Sequence, residues 1–146
     1  MGGCAGLKQL GPRFASKGTF PALTLLGLRG CTALEEFPSV EEGAFPKLEN
    51  LYMGYCAGVK QLGARFASKG TFLALTLLEL RGCTALEEFP SVEEGAFPKL
   101  ENLYMGGCGG VKQLGAQFAS KGTFPALTIW IMVQHRESVD LYKKQG

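Results

Sequence analysis

Apolar residues recur along this chain at one spacing. After Phe20 stand Leu23, Leu26, Leu28, Cys31, Leu34 and Phe37, and after Phe45 the same intervals carry Leu48, Leu51, Met53, Cys56, Val59 and Leu62. Leu75, Leu78, Leu80, Cys83, Leu86 and Phe89 repeat the set, and Leu100, Leu103, Met105, Cys108, Val111 and Leu114 repeat it again. Two apolar residues separated by one residue point to the same side of a short strand, with their neighbour on the other side. The pattern therefore predicts one strand around each of Leu26–Leu28, Leu51–Met53, Leu78–Leu80 and Leu103–Met105. Between strands, Ser39, Glu42 and Gly43 supply a cap, a partner three residues on and a terminator, enough for about one helical turn. In the alternate units Gly63 to Gly70 is predicted to lie on the opposite side from the strands, anchored inward by Phe66.

The phenylalanines Phe20, Phe45, Phe72, Phe97 and Phe124 follow one another at steps of 25, 27, 25 and 27 residues. Two such steps make a duplicated unit of 52. Residues 1–52 and 53–104 superpose without a gap and differ only at Gly3/Tyr55, Leu7/Val59, Pro12/Ala64, Pro21/Leu73 and Gly27/Glu79. A third copy starts at Met105 and keeps step through Thr128. The spacing L-x-x-L-x-L-x-x-C-x-x-L resembles the leucine-rich repeat. That resemblance implies an α/β repeat fold: a right-handed solenoid of about five coils over residues 1–128, with a parallel sheet on the concave side and short helical turns or loops on the convex side. Met1 aligns with Met53 and Met105 in mid-strand, so the N-terminal coil is expected to be uncapped. Self-association through exposed solenoid ends is then an expectation.

Residues 129–146 diverge. If Trp130 and Met132 take the places of Leu26 and Leu28, then Ile129, Ile131 and Val133 fall on the outward side of a terminal strand. The polar remainder, His135 onward, is expected either to fold over the last coil or to be disordered.

Composition adds exclusions. A net charge of +2 on 146 residues is far from the basic extreme of nucleic-acid-binding domains. No run of about eighteen apolar residues is present, so no membrane span is expected, and the first residues lack the basic-then-apolar order of a secretory signal. A cytoplasmic protein is the resulting expectation. The five cysteines are spaced by the coil lengths and include no C-x-x-C pair, which predicts reduced ladder residues at Cys31, Cys56, Cys83 and Cys108 and no zinc site. His135 is the single histidine. Neither a catalytic histidine constellation nor a histidine-based metal cluster can be assembled, so no enzyme and no cofactor are expected. Charge alternates by coil: residues 20–44 hold Arg29 against four glutamates, whereas residues 45–71 hold Lys47, Lys60, Arg65 and Lys69 against Glu49.

The string Phe-Pro-x-Leu-x-x-Leu-x-Leu-x-x-Cys-x-x-Leu-x-x-Phe-Pro, from Phe20 to Pro38 and again from Phe72 to Pro90 with Leu73 in place of the first Pro, resembles the repeats of plant intracellular disease-resistance receptors. Their nucleotide-binding phosphate loop has no counterpart here. The resemblance implies the recognition segment of a defence receptor, with a protein ligand on the concave face. Outward positions there are Arg29, Tyr52, Tyr55, Glu79, Arg81 and Tyr104, rich in the Tyr and Arg that anchor interfaces. Those side chains could equally pair with one another and shield backbone. Repeats of F-box-type ubiquitin-ligase adaptors also favour Cys after the strand, and a non-functional duplicated fragment is the third reading.

Overall fold

Alternation of apolar and polar residues at a period of two becomes extended backbone at each of the four expected places. A computed structural model describes residues 18, 20–37, 40–62, 66, 69–87, 93, 95–108, 124–135 and 138–142. Strands β1 (Leu25–Arg29), β2 (Asn50–Gly54), β3 (Leu77–Arg81) and β4 (Asn102–Gly106) bury their second and fourth residues and leave the first and third only partly covered or exposed. They pair in parallel, in chain order. The register is regular: Leu26, Leu51, Leu78 and Leu103 lie in one row, and Leu28, Met53, Leu80 and Met105 in the next. A one-residue slip in any strand would turn its buried pair to the other face, so burial itself fixes the register.

The tail continues this sheet. Strand β5 (Ile129–His135) pairs in parallel with β4, placing Trp130 opposite Leu103 and Met132 opposite Met105, the positions expected from the alignment. Strand β6 (Ser138–Tyr142) then returns antiparallel to β5. Within the polar remainder beyond His135, Ser138–Tyr142 form this sixth strand at the sheet edge, and the other residues there lie outside the described ones.

Beyond the sheet, each unit stays hydrogen-bonded to its neighbour. Glu49 donates its backbone N–H to Thr24 O at 2.8 Å, Thr76 to Glu49 at 2.8 Å, Glu101 to Thr76 at 2.9 Å and Thr128 to Glu101 at 2.9 Å, a continuous line before the strands. On the far side Lys60 N–H donates to Glu35 O at 2.8 Å and Glu87 N–H to Lys60 O at 3.1 Å. No helix occurs among the described residues: of Ser39 to Gly43, where one helical turn was expected, the stretch from Val40 to Gly43 is not helical and ends with Gly43 at φ +78°, while Ser39 lies outside the described residues. Gly43 in the left-handed region stops a helix before it propagates.

The core is a spine of phenylalanines. Successive rings Phe20, Phe45, Phe72, Phe97 and Phe124 stack at 5.9, 6.0, 5.8 and 5.6 Å with interplanar angles of 9°, 1°, 7° and 17°. Phe66 is fully buried, as its role of inward anchor requires, and packs at 5.0 Å from Phe72 and edge-on to Phe37 at 5.5 Å. Cys56, Cys83 and Cys108 are buried free thiols. Each donates to a strand carbonyl of the preceding unit, Leu28, Met53 and Leu80 respectively, at 3.8 Å. Here a weak S–H donor satisfies itself inside an apolar wall. The expectation of reduced sulfurs is corrected at Cys31, which is disulfide-bonded. Stacked units hold equivalent positions about 4.8 Å apart, inside the Cα range a disulfide tolerates, so the spacing that makes a thiol ladder also permits a bridge between rungs. Cys4 lies outside the described residues.

Candidate recognition face

The outward positions of β1–β4 make one continuous face of the sheet. Register places Tyr52 beside Glu79 and Glu79 beside Tyr104 in its middle row, with Gly27 opposite Tyr52. The following row is Arg29, Gly54, Arg81 and Gly106. Five of the six expected residues therefore lie on these strands, and Tyr55 stands at the first position after β2. Arg29, Arg81 and Tyr55 are exposed, while Tyr52, Glu79 and Tyr104 are half-buried.

The partial burial of the tyrosines has a cause two residues along. Tyr52 lies over Gly54 and Tyr104 over Gly106, so that a Cβ built on Gly54 would collide with the Tyr52 ring and one on Gly106 would come within 2.8 Å of Tyr104. Glycine provides the floor on which each ring rests. The arginines then pack on rings: Arg81 stands 5.1 Å over Tyr104 and Arg29 5.9 Å over Tyr55. Arg81 Nη2 also donates to Glu79 Oε1 at 2.9 Å. Glu79 first, and then the nearby tyrosines, raise the Arg81 pKa further above its usual value, so the guanidinium is a fixed cation. Each exposed cation–π pair is worth about 0.5–1 kcal/mol and the exposed ion pair about 0–1 kcal/mol. These contacts orient the side chains more than they stabilise the protein.

Tyr55 has an unusual backbone. The residue directly after the strand is Gly30 at φ +68°, Gly82 at +69° and Gly107 at +67°, yet at the corresponding place Tyr55 adopts φ +57°. Left-handed backbone costs an L-residue with a Cβ about 1–2 kcal/mol. Its ring is 48% exposed and rests against Gly82. Tyr55→Gly should therefore raise the unfolding free energy by about 1 kcal/mol in urea denaturation, whereas Tyr55→Ala, which keeps the strained backbone and loses the ring, should give no gain. A Gly variant no more stable than the parent would show that the ring's contacts outweigh the strain.

At two of the five positions where the duplicated copies differ, the second copy places Glu79 and Tyr55 on this face, against Arg81 and Arg29 respectively. Sequence reasoning counted only two outward positions per strand and missed Leu25, Asn50, Leu77 and Asn102, the first residue of each. The same alternation carried one step back would have found them. Leu25 is 60% exposed.

Cys56, Cys83 and Cys108 are buried beneath this face. Burial pushes the Cys56 thiol up, and the hydrogen bond between Cys83 and Cys108 pushes the buried Cys83 thiol up while holding Cys108 below the usual thiol value. Among the described residues no three His, Cys, Asp or Glu side chains converge as a metal site, and no helix is long and apolar enough to cross a membrane. No family model, no curated protein and no solved structure matches this chain.

Proposed function

We propose that the chain is a leucine-rich-repeat solenoid that recognises a protein through the outward face of its parallel sheet, as the recognition segment of a plant-type immune receptor. One observation carries this reading: the outward rows gather Tyr52, Tyr55, Tyr104, Arg29 and Arg81 on a single face, with two of the rings and Arg81 held in place by glycine floors, ring stacking and Glu79. Preorganised Tyr and Arg side chains lose little conformational entropy on contact, which is why such residues dominate interface energetics. The four matched rungs and the stacked phenylalanines support the repeat reading, since each unit buries its apolar side only against its neighbours. The receptor assignment rests on the Phe-Pro-bounded motif.

The test is capture of protein from a plant leaf extract by the immobilised chain. Tyr52→Ala with Tyr104→Ala should reduce the captured protein at least tenfold while the circular dichroism spectrum stays unchanged, because both rings lie outside the core. Capture undiminished in the folded double variant would exclude this face as the binding surface.

A further inference from the structure

Cys56, Cys83 and Cys108 stand on consecutive rungs as free thiols, although the same rung position at Cys31 carries a disulfide. Register shows where a second bridge fits. Arg81 pairs with Gly106, and Gly82 N–H donates to Gly106 O at 2.7 Å, so Cys83 and Cys108, each two residues past that pair, lie side by side. Parallel neighbours are about 4.8 Å apart, inside the Cα separation of about 4.4–6.8 Å that a disulfide spans.

Cys83 has a thiol on either side, and the two contacts differ. With Cys108 it makes a side-chain hydrogen bond, sulfur to sulfur, whereas the hydrogen bond from Cys56 comes from the backbone. The sulfurs in contact are therefore those of Cys83 and Cys108. Their roles are unequal: the S–H of Cys83 stabilises negative charge on Cys108, so Cys108 is the readier thiolate and the better first nucleophile. Bridging would give up the S–H contacts to Met53 O and Leu80 O at 3.8 Å, and a thiol is a weak donor whose loss costs little.

We propose that Cys83 and Cys108 form a peroxide-reactive dithiol, which closes into a disulfide tying the turn after β3 to the turn after β4. Cys108, as the thiolate, attacks one oxygen of hydrogen peroxide. The O–O bond breaks, the sulfur becomes a sulfenic acid, and the departing hydroxide takes up the proton that Cys108 released. The Cys83 sulfur then attacks Cys108 Sγ, the S–O bond breaks, and hydroxide leaves as water with the Cys83 proton. Two thiols are oxidised to one disulfide, and one peroxide is reduced to two waters. Hydrogen peroxide is little larger than water and reaches the buried pair through local opening of the rung.

The full chain is exposed to hydrogen peroxide at neutral pH, quenched with catalase, alkylated with N-ethylmaleimide in urea and digested with trypsin for mass spectrometry. The expected product joins residues 82–99, which hold Cys83, to residues 100–112, which hold Cys108, and is lighter by two hydrogens than the separate peptides. Residues 30–47 have the same sequence as 82–99, so Cys83→Ala assigns the bridge: this variant should lose the product and leave Cys108 as a sulfenic or sulfinic acid. In the parent chain, unmodified Cys108 should disappear about tenfold faster than unmodified Cys56, which residues 48–60 carry. A bridge that survives Cys83→Ala, a bridge to Cys56, or Cys108 lost no faster than Cys56 overturns the proposal. The comparison of Cys108 with Cys56 is made within one folded chain, so it decides whether or not the variant folds.

Discussion

Phe72→Ala should lower the unfolding free energy by about 3–5 kcal/mol, measured as a shift of the urea midpoint at unchanged slope. Phe72 is fully buried and sits between Phe45 and Phe97 in near-parallel stacking, with Phe66 tilted against it. Removing the ring opens a cavity lined by three other rings. Those rings are themselves held by stacking and cannot collapse inward without breaking the spine. Small domains are stable by only about 5–15 kcal/mol, so this one change removes a large share of the total. Phe72→Leu, which refills part of the volume, should recover roughly half of the loss. The neighbouring Leu73 is 46% exposed, and Leu73→Ala should change stability by no more than about 0.5 kcal/mol. A loss below about 1 kcal/mol for Phe72→Ala would mean that the rings do not form the continuous stack described here.

Much of this core was legible in the chain, and the reasons are local. Leu26 and Leu28 with their counterparts encode strand and facing by period two, and the 25/27 alternation encodes which residues share a row. Other features had no separate signal. All the sulfurs share one spacing, so nothing in the pattern distinguishes Cys31, which is bridged, from Cys56, Cys83 and Cys108, which are free. The return of β6 was hidden because Arg136-Glu137, between β5 and β6, lacks the Gly, Asn or Asp that usually announces a hairpin. The helical turn expected near Glu42 failed because a cap and a terminator within five residues leave no room for the costly nucleus of a helix.

On the candidate face, the outward residues could be named from alternation alone, but not their arrangement. That Tyr52 and Tyr104 lie down on Gly54 and Gly106 depends on the side-chain-free residue two positions on, a relation visible only once the strand direction is known. Tyr55 shows the opposite balance. Its counterparts after the other strands are glycines, so the sequence already held the clue that the position requires left-handed backbone. A tyrosine there keeps an exposed ring under Arg29 at a cost in stability, the expected signature of a residue retained for contact and not for folding.

Gly58→Ala should destabilise the protein by about 1–3 kcal/mol, through a steric effect and not a conformational one. Gly58 does not occupy the left-handed region, so its backbone suits any residue. A Cβ there would collide with the carbonyl oxygen of Thr32 and come within 3.0 Å of that of Leu34, both in the turn that follows β1. Backbone cannot swing aside as a side chain can. Relief requires moving the two units apart, which strains the Lys60 N–H to Glu35 O bond at 2.8 Å and the Glu36–Gln61 bridge beside it. Gly27→Ala is the control, since its Cβ would meet nothing within 4 Å, and it should be neutral or slightly stabilising. Ala33 and Ala85 stand at the position equivalent to Gly58 in the alternate units, so the small residue is demanded by what it faces and not by its place in the motif. A Gly58→Ala protein as stable as the parent would mean that successive units do not approach closely at this turn, and the hydrogen-bonded stacking that aligns Arg29 with Arg81 would lose its support at the first junction.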